Sequence, residues 1–124
     1  MTRMISLLAV PLLVAAAPAL AHPKLVSSNP AAGAQVAAPT RVDLTFNERL
    51  TAPLSGATIA MTGMGGKPHA PMAVSGTTSK VGPDGKSLIL TMPKPLIAGT
   101  YRVSWHVVAA DTHRITGTLD FTVK

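Results

Sequence analysis

After residue 21, this chain is dominated by short stretches in which apolar and polar residues alternate. Thr40–Asn47 is the clearest of them, because Val42, Leu44 and Phe46 fall on one face of an extended segment. Alternation of this kind is typical of a half-buried β-strand. The chain also contains 11 prolines, which interrupt helices, and no window shows a sustained helical stripe of apolar residues. The pattern therefore predicts an all-β protein.

Further strands are predicted wherever similar stretches occur. The candidates are Lys24–Ser28, Ala57–Thr62, Ser87–Met92, Gly99–Ala109 and a last stretch in which Leu119, Phe121 and Val123 alternate. Gly82–Gly85, with the sequence GPDG, is predicted to form a turn between strands. About seven short strands joined by glycine and proline turns predict one antiparallel sandwich or barrel.

Two polar residues on these strands allow more than one interpretation. In Gly99–Ala109, His106 faces away from the side that carries Tyr101 and Trp105, so we interpret it as a structural or surface histidine. Glu48 follows the strand at Thr40–Asn47. It is either a solvated end residue or a hydrogen-bond acceptor that orients a ligand histidine.

Residues 1–21 have the pattern of a secretory signal peptide. Arg3 supplies a positive start, Met4–Leu20 is apolar and uncharged, and small residues occupy positions −3 and −1 relative to His22, as cleavage requires. A membrane anchor is the alternative, but the run contains two prolines and is short of the roughly 20 residues that span a bilayer. We therefore expect cleavage before His22, a mature domain of residues 22–124 and no stable membrane insertion.

Composition excludes several classes of function. The chain has no cysteine, which rules out disulfides, thiolate metal sites and a cysteine nucleophile. The formal net charge of +6 falls to +5 when Arg3 is removed with the leader. Aromatic residues make up only 3% of the chain and supply little surface for stacking on bases. We therefore expect a basic, soluble surface and no nucleic-acid partner.

One segment, Met61–Met72, does not fit a strand and is predicted to be a loop. Its sequence, MTGMGGKPHAPM, places Met61, Met64, His69 and Met72 among glycines and prolines. Thioether sulfur is a soft, uncharged ligand that favours Cu(I), and a flexible loop would let the side chains converge. The alternative is that the methionines fill gaps in the core. Their position among turn-forming residues favours the metal.

A second group of candidate ligands combines His22 with Asp111 and His113. The latter two are two residues apart within DTHRITG, so they would point the same way on an extended segment. As the first residue after cleavage, His22 would chelate through its α-amine and its ring together. Nitrogen ligands with some oxygen suit Cu(II). The alternative is a surface turn capped by Asp111, with His22 a chance neighbour of the cleavage site.

Together these features resemble the CopC-like family of periplasmic copper-resistance proteins. The leader is followed at once by HPKLVSSNPAAG, then by VDLTFNERL, by the methionine and histidine segment and by WHVVAADTHRITGTLDFTV. The four motifs occur in the family's order and cover essentially all of residues 22–124. The resemblance implies a cupredoxin-like or immunoglobulin-like Greek-key β-barrel or sandwich. It also implies a periplasmic copper carrier or sequestering protein that serves copper resistance or homeostasis and is not an enzyme.

The resemblance also implies roles for individual residues. A Cu(II) site would use His22, Asp111 and His113, with Glu48 as an acidic residue nearby, and a Cu(I) site would use Met61, Met64, His69 and Met72. Fuller versions of the methionine segment carry a further methionine in the interval where Lys67 stands here. The implied partners are copper ions and a CopD-like inner-membrane copper transporter, and the expected state is a monomer.

Two other functions are compatible with parts of the pattern. A copper-dependent oxidase or oxygenase could also use a terminal histidine, but the chain shows no platform of aromatic residues for a substrate. An immunoglobulin-like interaction module would bind no metal at all. Metal content separates the second alternative from copper carriage, and reductant-driven oxygen consumption separates the first.

Overall fold

The alternating stretches of the sequence become strands of two β-sheets. The computed structural model describes Pro11 and residues 22–124, and the predicted signal peptide otherwise lies outside the described residues. The strands are β1 (Leu25–Asn29), β2 (Gln35–Val36), β3 (Arg41–Phe46), β4 (Gly56–Met64), β5 (Lys67–Ala73), β6 (Thr78–Val81), β7 (Ser87–Thr91), β8 (Gly99–Val108) and β9 (Arg114–Val123). A turn of 3-10 helix covers Ala52–Leu54. Among the described residues, no helix has the length and apolar character that a bilayer span requires.

The two sheets pack face to face as a sandwich. One sheet has the strand order β1-β3-β7-β6, and the other has the order β2-β9-β8-β4-β5. The described pairs are antiparallel except for the short β2–β9 pair. Strands distant in the chain, such as β3 and β7 or β4 and β8, are neighbours, as in Greek-key arrangements. The all-β prediction is confirmed, and of the two predicted architectures the structure has the sandwich.

The core lies between the sheets and is built from the predicted alternating faces. Val42, Leu44 and Phe46 on β3 are at most 1% exposed, and the ring of Phe46 meets Trp105 edge-on at 5.2 Å. Tyr101 on β8 is equally buried, and its hydroxyl donates to the carbonyl of Ile97 at 2.7 Å. Burial raises the pKa of Tyr101. The apolar faces of the strands therefore form one core that leaves the strand ends free to carry a site.

The prediction of a loop over Met61–Met72 is wrong. The segment is a β-hairpin, in which the end of β4 turns at Gly65 and Gly66 into β5. Both glycines have positive φ, 59° and 76°, which glycine adopts without strain. Between the pairs Met61↔Met72 and Gly63↔Pro68, a single residue of β4 faces three residues of β5, and this bulge breaks the alternation. β5 lies at the sheet edge, where prolines are tolerated.

Candidate metal centre

The link between β8 and β9 forms one half of the candidate site. The amide of Thr112 donates to the carbonyl of Ala109 at 3.0 Å, and Thr112 has a φ of +64°, which is unusual for a β-branched residue. Asp111 Oδ1 accepts a hydrogen bond from the amide of His113 at 3.3 Å. Asp111 and His113 therefore flank a turn capped by Asp111, which is the local geometry of the alternative interpretation, and they do not lie on an extended segment. The turn, rather than strand geometry, brings their side chains together.

The segment before β1 brings the third residue to this turn. Pro23 is among the fully buried side chains, and the amide of Lys24 donates to Asn47 Oδ1 at 2.7 Å. The amide of Asn47 donates in return to the carbonyl of Lys24 at 3.0 Å. His22 therefore lies directly before an anchored segment. Sequence reasoning did not find the roles of Pro23 and Asn47, because both depend on how β1 pairs with β3.

His22, Asp111 and His113 converge at this end of the sandwich. Nδ1 of His22 lies 2.5 Å from Oδ2 of Asp111, and Nδ1 of His113 lies 3.8 Å from the same oxygen. The two imidazole rings are 5.3 Å apart between centroids and tilted by 42°. One ligand atom from each of the three residues lies within 4.8 Å of the others. Among the described residues, this is the group of histidine and acidic side chains that could hold a metal ion.

Burial differs sharply within the group. The side chain of Asp111 is 6% exposed, whereas those of His22 and His113 are 56% and 69% exposed. A carboxylate withdrawn from water needs hydrogen bonds or a nearby cation to offset its lost hydration. Oδ1 has the amide of His113, and Oδ2 faces both imidazoles. The exposed rings and the buried carboxylate thus form a site that is open to solvent on one side.

The geometry fits a metal ion after a small movement of the rings. Bonds from nitrogen or oxygen to a divalent transition metal are about 2 Å long, so two ligand atoms on one ion lie no more than about 4 Å apart. The exposed imidazoles can rotate slightly, and this rotation is enough to bring their nitrogens and the Asp111 oxygen within that distance of one another. Two imidazole nitrogens and one carboxylate oxygen are ligands that suit Cu(II) and Zn(II).

Glu48 and His106 lie outside this group. Glu48 is half-buried in the segment after β3, and the group that could share a metal ion does not include it. His106 is half-buried on β8 and pairs with Gly56 and Thr116 on the neighbouring strands, in agreement with a structural role. The structure therefore gives Glu48 no direct place at the metal position.

The methionines of the hairpin differ in burial. Met61 is buried in the core, so the alternative that these methionines fill the core holds for this residue. Met64 and Met72 are exposed. Met61 and Met72 are cross-strand partners and line a cavity of about 580 Å³, whereas Met64 pairs with Lys67 beyond the bulge. Nδ1 of His69 lies 2.8 Å from the carbonyl of Ala70.

Comparison with known proteins assigns the chain to a family. The CopC domain matches residues 25–124. The chain belongs to the CopC family. Copper resistance protein C of Pseudomonas syringae pv. tomato is 49% identical over 123 residues, which cover 99% of this chain and 96% of that protein. Copper resistance protein C of Escherichia coli is 50% identical over 107 residues, or 86% of this chain and 84% of that protein.

Solved structures in the CopC family have the same fold. PcoC, a methionine-rich copper resistance protein from Escherichia coli, superposes with a TM-score of 0.77 and 50% identity, and the match covers 84% of this chain and 100% of that one. CopC from Methylosinus trichosporium OB3b has a TM-score of 0.65 and 30% identity over 83% of this chain and 94% of that one. The resemblance read from the sequence motifs is confirmed.

Family membership also bears on the kind of function. The CopC relatives are named copper resistance proteins and not enzymes, in agreement with the expectation that this chain is not a catalyst. The matched domain begins at residue 25, three residues after His22. The match therefore includes Asp111 and His113 but leaves the role of His22 to be argued from geometry.

Proposed function

We propose that this CopC-family protein binds copper in the periplasm and sequesters or delivers it as part of copper resistance. The observation that carries the proposal is the convergence of His22 with Asp111 and His113, which are distant in the chain, at one solvent-facing point. The names of the relatives, copper resistance protein C and PcoC, support copper over other metals. The nitrogen and oxygen ligands support Cu(II) as the ion held there.

Cleavage before His22 completes this Cu(II) site in our proposal. The new α-amine and the ring Nδ1 of His22 belong to one residue and close a six-membered chelate ring with a metal ion, which Nε2 cannot do. In the structure it is Nδ1 that faces Asp111. His113 supplies a third nitrogen, and Asp111 supplies an oxygen ligand or a charge beside the ion. Glu48 is proposed to act only indirectly, through water or the orientation of the site.

A Cu(I) site in the methionine hairpin is the second part of the proposal. Met61 and Met72 lie side by side across β4 and β5, and Met64 and His69 are on the same hairpin. Thioether ligands favour Cu(I), and the related PcoC is described as methionine rich. We further propose that the protein acts as a monomer and exchanges copper with a CopD-like inner-membrane transporter.

Copper analysis of the naturally processed protein tests the proposed function. The full chain is expressed in a Gram-negative host, recovered from the periplasm and equilibrated with Cu(II) before desalting. We expect mass spectrometry to find His22 as the first residue and metal analysis to find tightly bound copper. Protein with this terminus that retains no copper would contradict copper carriage and favour an interaction module without metal. Oxygen consumption with a reductant tests for an oxygenase, and we expect none above that of free copper.

The hairpin has its own test, because its exposed methionines can be changed without opening the core. Replacing Met64 and Met72 together with leucine removes two thioethers and keeps apolar side chains of similar volume. We expect Cu(I) binding, measured against a colorimetric Cu(I) chelator, to weaken sharply because two of the soft ligands are lost, with Cu(II) binding unchanged. Met92→Leu is the matched control, since Met92 is buried in the core outside the hairpin. Unchanged Cu(I) affinity in the double variant would refute the hairpin site.

A further inference from the structure

We propose that Asn47 is a positioning residue for the Cu(II) site, because it fixes the chain directly behind His22. This inference rests on the proposed terminal chelate and deepens it. β1 and β3 pair antiparallel, with Leu25 opposite Phe46. Asn47 stands one residue beyond that pair, at the point where β3 ends. It therefore links a strand of the core to the segment that leads to the metal.

Asn47 holds both backbone groups of Lys24. Its side-chain Oδ1 accepts the amide of Lys24 at 2.7 Å, and its own amide donates to the carbonyl of Lys24 at 3.0 Å. The side-chain amide thus takes the place of a backbone carbonyl and extends the strand pairing by one residue toward the terminus. Without Oδ1, the amide of Lys24 would have to bond to water, and the end of the chain would be free to fray.

A single residue separates this clamp from His22. That residue is Pro23, whose ring restricts φ and whose side chain is fully buried. With Lys24 held on one side and Pro23 fixed between, His22 has little freedom except rotation of its exposed side chain. The residues of a binding site have to be held within about 0.5 Å of their productive geometry. A clamp two residues away is therefore close enough to decide whether the amine and Nδ1 reach the ion together.

Asn47 is itself held by buried structure. Phe46, its neighbour, is 1% exposed, contacts Trp105 edge-on and donates its amide to the carbonyl of Lys86 at 2.9 Å. The clamp is thus anchored on the core, whereas Asp111 and His113 stand on the turn after β8. The register between β1 and β3 sets the distance between the two halves of the site. Asn47 extends this pairing to Lys24 and so fixes the chain next to His22.

The test compares Asn47→Ala with Asn47→Asp in protein recovered from the periplasm with His22 as its first residue. Aspartate keeps an acceptor oxygen at the same place, and alanine does not. We expect Asn47→Ala to weaken Cu(II) binding by about tenfold or more, the range for residues that orient metal ligands, and to add a second species to the Cu(II) electron paramagnetic resonance spectrum. Asn47→Asp should keep the wild-type spectrum and the wild-type Cu(II) affinity.

A matched control separates positioning from general stability. Ser79→Ala also removes a side-chain acceptor from a backbone amide, that of Ala57. Ser79 lies on β6, at the edge of the same sheet opposite β1. This substitution should leave both copper affinity and spectrum unchanged. Wild-type affinity and spectrum in Asn47→Ala would overturn the inference, as would equal losses in Asn47→Asp or Ser79→Ala.

A His113→Ala variant, measured alongside, keeps this inference distinct from the proposed function. If His113→Ala binds Cu(II) like the wild type, the proposed site itself fails, and the inference about Asn47 fails with it. If His113→Ala loses Cu(II) and Asn47→Ala does not, only the positioning role is refuted.

Discussion

Replacement of His113 with alanine is expected to weaken Cu(II) binding by about 100-fold or more and to leave the sandwich folded. Residues that only orient metal ligands already contribute about 10- to 100-fold in affinity. Because His113 is proposed to be a ligand itself, the expected loss of Cu(II) affinity lies at or above the upper end of that range. The fold should tolerate the change since the His113 side chain is 69% exposed, and exposed substitutions shift stability by about 0.5 kcal/mol or less.

The matched control for this prediction is His106→Ala. His106 is also a histidine of the β8–β9 sheet, but it lies outside the group that could share a metal ion. Cu(II) affinity is measured by competition with a chromophoric chelator, and folding is checked by thermal unfolding. We expect His106→Ala to bind copper like the wild type. Equal affinity in His113→Ala and the wild type would remove His113 from the site.

Extension of the mature protein by one alanine before His22 should reduce Cu(II) affinity by a comparable factor, about 100-fold. The imidazole remains, but the amine moves to the added residue, and the nitrogen of His22 becomes a peptide amide that does not ligate until it is deprotonated. Pro23 stays buried and Lys24 stays bonded to Asn47, so the fold should not change. The chelate is lost without the loss of any side chain.

A matched extension at the other end controls for the added residue. Lys124 is exposed, and an alanine placed after it should change neither copper affinity nor the temperature of unfolding. If the protein extended before His22 binds Cu(II) as tightly as the wild type, the α-amine is not a ligand. In that case His22 contributes at most its ring, and cleavage has no bearing on the site.

The central strands and the edge strand β1 could be predicted from the sequence, and the edge strands β2, β5 and β6 could not. β3, β8 and β9 each bury one face, so alternation marks them directly. β5 and β6 are mostly exposed along their length and lie at sheet edges, where backbone pairing rather than side-chain burial holds a strand. That pairing leaves no periodic signal, so the sequence pattern predicts about seven strands where the described chain has nine.

At the metal centre, the identity of the candidate ligands could be predicted but the geometry that gathers them could not. The two-residue spacing of Asp111 and His113 would place them on one face only if their segment were extended. They share a turn instead, at Thr112, a residue type that seldom has positive φ. The clamp between Lys24 and Asn47 depends on strand register, which no local pattern encodes. The loop prediction fails beyond Met61 because the neighbouring glycines and prolines conceal that β4 continues to Met64.

The most direct test of the proposed Cu(II) site is to locate copper in crystals of the naturally processed protein grown with Cu(II). Anomalous diffraction at the copper absorption edge locates the ion independently of any variant. We predict a strong peak about 2 Å from the α-amine and Nδ1 of His22 and from a ring nitrogen of His113, with Asp111 alongside. A strong peak elsewhere on the chain, with none between His22 and His113, would contradict a Cu(II) site at the processed terminus.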